Sequence, residues 1–98
     1  MARVDLGRRD AAAAVPLLRD ALRIRLRIFP ADDWRVGVPK SILGQALTEL
    51  GRYDEARPLL MDAQRALRNI PGAQGLEARA NRARLAELQA ASARSRDP

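Results

Sequence analysis

Two adjacent carboxylate pairs, Asp32-Asp33 and Asp54-Glu55, are the residues of this chain best placed for acid–base or metal chemistry. Each pair stands just ahead of an apolar-periodic segment. There a carboxylate accepts from the unpaired amides of a helix N-terminus and complements its dipole. Capping accounts for both pairs. The sequence has no histidine and no cysteine, which removes the usual general base, the commonest zinc ligand, thiolate nucleophiles and disulfides. Glycine-rich phosphate loops and nucleophile elbows are also missing. The chain reads as a non-enzyme without cofactor or metal.

Arginine dominates the remaining polar chemistry. The net charge is +6, and all eighteen basic residues except Lys40 are arginine. Arg19, Arg23 and Arg27 stand one helical turn apart and could grip an acidic peptide or a phosphate through bidentate contacts. The arginines are spread over every segment, however, and acids are interleaved with them: Asp20, Glu49, Asp54, Glu55, Asp62, Glu77 and Glu87. No aromatic platform accompanies them, as a single-strand binder requires. Solvated helix faces explain this charge better than a nucleic-acid footprint does. Trp34, the single tryptophan, reads as an apolar plug at a helix start near Phe29 rather than as an exposed anchor.

Positioning these residues falls to helices. Alanine, leucine and arginine prevail, and aromatics make up 3 % of the sequence, a helix-favouring composition. A first helix is expected over residues 10–29, with Leu18, Leu22, Leu26 and Phe29 in one row and Leu17, Ala21, Ile24 and Ile28 in a parallel one. Arg25 falls at the margin of that face. Pro30 ends it. A second helix covers residues 34–50, capped by Asp33 and buried through Leu43, Ala46, Leu47 and Leu50. It either kinks at Pro39 or begins there. Gly51 suits the left-handed position that closes it.

Asp54 is expected to cap a third helix reaching Leu67 or Arg68, with Ala56, Leu59, Leu60, Ala63 and Leu67 inward. Asn69-Ile70-Pro71-Gly72 stops it. A fourth helix over residues 75–93 carries a thin stripe of Leu76, Ala80, Ala83, Leu85 and Leu88. Residues 1–93 form one domain, and 94–98 a frayed tail.

The chain also repeats itself at an offset of about forty-two residues. Ala14 then meets Ala56, Pro16-Leu17-Leu18 meets Pro58-Leu59-Leu60, Asp20-Ala21 meets Asp62-Ala63, Arg23 meets Arg65, and Leu43 meets Leu85. A period of this size marks stacked helical units. The Gly51-Arg52-Tyr53 link is short enough to force its two helices antiparallel. The expected fold is all-α: four main helices in antiparallel helix-turn-helix repeats, the opening helix of the first pair nearly absent. A closed up-down bundle is the structural alternative.

Leu43-Gly44, Leu47, Leu50-Gly51-Arg52-Tyr53, Ala56, Leu59-Leu60 and Ala63 resemble a tetratricopeptide repeat. The resemblance implies that small residues at Gly44 and Ala56 let paired helices approach, that Leu60 fills the large apolar site, and that Ala63 admits the next repeat. Lys40 departs from the family's opening aromatic, and Ala86 and Gln89 in the last helix suggest a terminal cap. The period exceeds the usual length of about thirty-four residues and is similar to that of the kinesin light chain type. The run from Asp33-Trp34-Arg35 to Ala56-Arg57-Pro58-Leu59-Leu60 also resembles C-terminal repeats of some bacterial serine/threonine kinases, although no kinase motif is present.

The same resemblance implies a concave, partner-binding face on the first helix of each pair. Val38, Ser41, Gln45, Thr48 and Glu49 would then face a peptide or protein partner, with Ala80, Ala83 and Glu87 beyond. The expected function is a protein–protein interaction module of adaptor or scaffold type. The rivals are a basic helical nucleic-acid binder and a regulatory fragment of a larger kinase. A soluble cytoplasmic chain is expected, since nothing approaches a signal peptide or a membrane span. The first helix lacks an antiparallel mate, which would leave Leu17, Ile24 or Leu22 uncovered. Self-association through that helix is the expected consequence, unless residues 1–8 fold back as a cover or the natural protein extends upstream.

Overall fold

The computed structural model describes residues 2–68 and 75–96, with side chains for 8–68 and 75–95. Four helices follow one another: α1 (Ala2–Ile28), α2 (Trp34–Glu49), α3 (Tyr53–Leu67) and α4 (Leu76–Arg96). No strand occurs among the described residues. α1 is longer than its apolar rows suggest. Residues 2–9 continue it as one helix, so they form neither a remnant of a separate helix nor a folded-back cover. Its length, about 40 Å at 1.5 Å per residue, matches the 42 Å long axis of the molecule.

Each boundary has a local cause. Asp33 caps α2 by accepting from the Arg35 amide at 2.8 Å. α2 runs through Pro39 without restarting there. Proline cannot donate to the carbonyl four residues back, which leaves the Arg35 oxygen short of its helical partner. The Arg25 Nη1 donates to that oxygen at 2.8 Å, so the arginine at the margin of α1 substitutes for the missing amide. Gly51 closes α2 at φ +77°. The Gly51 amide donates to the Thr48 carbonyl at 3.0 Å and the Arg52 amide to the Leu47 carbonyl at 2.8 Å, the paired bonds of a Schellman motif.

Two expected ends are corrected. Asp54 does not cap α3: the cap position is Arg52, without a side-chain bond, and Asp54 lies inside the first turn. Tyr53 already has helical backbone because the α2 closure leads directly into the new helix. α4 reaches Arg96. The stop expected at Asn69-Ile70-Pro71-Gly72 lies outside the described residues.

Packing shows how the helices stack. Gly37 of α2 faces Ala66, and Gly44 faces Leu60 and Ala56, so the two helices run antiparallel. A Cβ at Gly44 would come within 2.6 Å of Leu60 Cγ and Cδ2, and one at Gly37 within 2.8 Å of Ala66 Cβ. These two glycines, two turns apart, let α2 and α3 approach closely, as the small residues expected at Gly44 and Ala56 require. Leu43, Leu47, Ala56 and Leu60 fill the centre with Leu88 of α4 and Ala11 and Val15 of α1. Lys40 lies beside this seam, its stem buried and its ammonium 3.7 Å from Asp62.

α1 packs on α2, α3 on both α2 and α4, and α4 also on α2. Among the described residues no α1 Cα comes within 8 Å of an α4 Cα. The closed bundle is therefore absent, and α2 and α4 lie side by side as one layer. The repeat is visible in three dimensions as well. α2 and α4 begin at Trp34 and Leu76, residues paired by the forty-two-residue offset, and the ion pairs Arg23–Asp20 and Arg65–Asp62 stand in the same register.

Candidate peptide-binding face

The exposed surface shared by α2 and α4 is built from the side chains left over after this packing. α4 docks through polar groups. The Asn81 amide nitrogen donates to the Leu60 carbonyl at 2.8 Å and to Gln64 Oε1 at 2.9 Å. The Arg84 guanidinium bridges to α2, with Nε on Gln45 Oε1 and Nη1 on Ser41 Oγ, both at 2.8 Å. The buried stripe of α4 is accordingly Asn81, Leu88 and Ser92, with Leu85 partly buried. This corrects the thin apolar stripe: Leu76 is 68 % exposed and Ala83 is exposed. The inner face of α4 mixes Leu85 and Leu88, which apolar spacing finds, with Asn81 and Ser92, which it does not.

The residues expected to line the face divide by depth. Ser41 is fully buried beneath Arg84, and Thr48 is buried with its hydroxyl donating to the Gly44 carbonyl at 2.8 Å. Val38 and Gln45 are half-buried, and Glu49 is exposed. Of the further three, Ala80 is half-buried while Ala83 and Glu87 are exposed. The reachable part of the row is thus Val38, Gln45, Glu49 and Glu87.

A shallow groove between α1 and α2 continues this surface. Ala11, Ala14, Leu18, Ile42 and Ala46 form its floor, and Asp10, Gln45 and Glu49 its polar edge. Glu49 collects the local negative charge. Partial burial raises its pKa above the ordinary glutamate value, and the carboxylates of Glu87 and Asp10 push in the same direction, while a hydrogen bond from Gln45 opposes them. Asp10 and Ile42 were missed as lining residues. Ile42 is an apolar residue one step outside the polar row, 39 % exposed, and that misfit was the available signal. Among the described residues no carboxylate group is arranged to hold a metal ion.

Six arginines are paired with carboxylates elsewhere on the surface. Arg19 pairs with Glu55, Arg23 with Asp20, Arg35 with Asp33, Arg52 with Glu55, Arg57 with Asp54 and Arg65 with Asp62. Asp33, bonded by the Arg35 side chain and backbone, has its pKa held down to about 2. The Arg35 guanidinium also lies 4.0 Å from the Phe29 ring centre and 5.6 Å from that of Trp34. A cation between two rings thus joins the α1 end to the α2 start, a tie of cation–π type.

α2 and α3 form a helical hairpin: two antiparallel helices, a tight glycine turn, and small residues facing a leucine. Residues 41–68 match the tetratricopeptide repeat family. The matched stretch holds the C-terminal half of α2, the Schellman turn and all of α3, with Gly44, Ala56 and Leu60 at the contacts just described and Ala63 fully buried. In the tetratricopeptide repeat such a unit generally serves protein–protein interaction. No curated protein and no solved structure matches the chain. Among the described residues no helix is long and apolar enough to cross a membrane.

Proposed function

We propose that this chain is a protein-interaction module, and that its α1–α2–α4 face holds a segment of a partner protein carrying a basic side chain. The carrying observation is the acidic edge at Asp10, Glu49 and Glu87 above an apolar floor, on a chain whose net charge is +6. A lysine or arginine placed there relieves the mutual repulsion of the three carboxylates. Nucleic acid is disfavoured at the same place, since phosphates would meet the carboxylates of Asp10, Glu49 and Glu87. In this reading the module docks its partner as an adaptor, or as a repeat segment of a larger protein such as the bacterial kinases whose C-terminal repeats it resembles. The matching starts of α2 and α4 support the long, kinesin light chain-like repeat for this role.

Fluorescence polarisation with short labelled peptides, matched apart from a central lysine, glutamate or alanine, tests this reading. The lysine peptide is expected to bind most tightly, and Glu49→Lys to reverse the order. A bound cation favours ionised Glu49, so affinity falls as pH drops through its raised pKa. Tighter binding of labelled duplex or single strands than of any peptide, with a steep salt slope, would refute the proposal.

A further inference from the structure

α1 buries one face and leaves another bare. Ala11, Val15, Leu18 and Leu22 turn toward the core, whereas Leu17, Ile24 and Ile28 are 70 %, 58 % and 66 % exposed. With Ala21 among them they recur at spacings of four, three and four residues. That is a heptad seam, which a second helix fills by knobs-into-holes packing. An extended segment would instead need side chains two apart. We propose that this stripe docks an amphipathic helix of a partner protein whose apolar seam is flanked by glutamate or aspartate.

Charge complementarity selects that occupant. A groove lined by Asp20, Arg23, Ile24 and Arg27 runs beside the stripe. Asp20 is already paired with Arg23. Arg27 is exposed and makes no ion pair among the described residues. Arg25, on the opposite margin, bonds a carbonyl rather than a carboxylate. Carboxylates on an incoming helix therefore meet guanidinium groups on both sides of the seam, the pairing that sets partner choice at flanking heptad positions. A second copy of this chain would bring a surface holding Arg23, Arg25 and Arg27 against the single carboxylate of Asp20 to another of the same net sign, with +6 on each molecule. Like charges opposed at a contact suppress that association, so the charge disfavours the symmetric dimer that an unpaired helix otherwise suggests. The stripe shares no residue with the acidic groove, and either site can fail without the other.

The test is a titration of the full chain into a labelled synthetic helix of about three heptads, with leucine at its seam and glutamate on its flanks. A second helix carries lysine in place of glutamate. The glutamate helix is expected to bind at least roughly tenfold more tightly at low salt, with the margin shrinking as salt is added. Arg23→Glu with Arg27→Glu should reverse the preference. Ile24→Ser with Ile28→Ser should abolish binding of both helices, with the circular dichroism of the chain unchanged because both positions are surface-exposed. Equal binding of the two helices, or binding of neither, overturns the proposal. So does a dimer of the chain alone in sedimentation that dissolves in the double serine variant.

Discussion

Gly44 shows how much of this fold depends on one missing methyl group. Its backbone carries no unusual dihedral, so conformational freedom is not its purpose. Space is. A Cβ would meet the Leu60 side chain at 2.6 Å, and Leu60 is fully buried among Leu43, Leu47 and Ala56, with no room to retreat. Overpacking of this kind forces side chains off their rotamers or the helices apart. Gly44→Ala is therefore expected to lower stability by about 1–3 kcal/mol, although alanine is the better helix former. Urea unfolding followed by circular dichroism measures it, and an unchanged or raised midpoint would show that the helices can separate freely. Gly44→Ala combined with Leu60→Val should recover part of the loss, since the smaller side chain withdraws the clashing atoms.

At the scale of the helices, what could be read from the sequence depended on how each helix is held. α2 and α3 are held by aliphatic side chains and small contacts, and the ends of α2 and the inner leucines and alanines of both follow from apolar spacing, Asp33 and Gly51. α4 is held by Asn81, Arg84 and Ser92 as much as by Leu88. Polar residues on a buried face look like solvent-facing ones in a sequence. Of the expected stripe, Leu85 and Leu88 pack on the core and Ala80 is half-buried, while Leu76 and Ala83 are exposed and Asn81 and Ser92 take the buried places. The family resemblance places Ser41 and Thr48 on the ligand face by their position in the repeat, but the docking of Arg84 onto Ser41 and the bond from Thr48 to the Gly44 carbonyl hold both inside. Asp54 looked like a cap because the Schellman turn, which brings Tyr53 into helical geometry, is set by backbone bonds that composition does not reveal. Arg84 offers a direct probe of this polar docking. Arg84→Ala leaves the buried Ser41 hydroxyl without its donor, at an expected cost of about 1–2 kcal/mol. Amide exchange in α4 should accelerate while that of α2 and α3 stays near its original rate. Uniform acceleration would mean that Arg84 supports the whole domain instead of one docked helix.

Across the whole molecule the helices form an open series, and stability should follow the number of neighbours each one has. α2 touches α1, α3 and α4, while α1 approaches only α2 by its backbone. The distribution of fully enclosed side chains agrees. Val36, Leu43 and Leu47 of α2, with Ala56, Leu60 and Ala63 of α3, are at or near zero exposure. Among the described side chains α1 contributes Ala11 and Val15 to the buried apolar set, and α4 adds Leu88. In stacked repeats each unit is stabilised by its own packing and by its interfaces with neighbours, so the ends open before the middle. Native-state hydrogen exchange should therefore give a graded order: α2 and α3 slowest, α4 next, and α1 fastest, above all in its first two turns. Occupancy of the α1 stripe by an acidic helix should selectively slow α1, because that ligand adds the neighbour it lacks. A single exchange free energy shared by all four helices would instead indicate one cooperative bundle, with α1 and α4 coupled in spite of their separation.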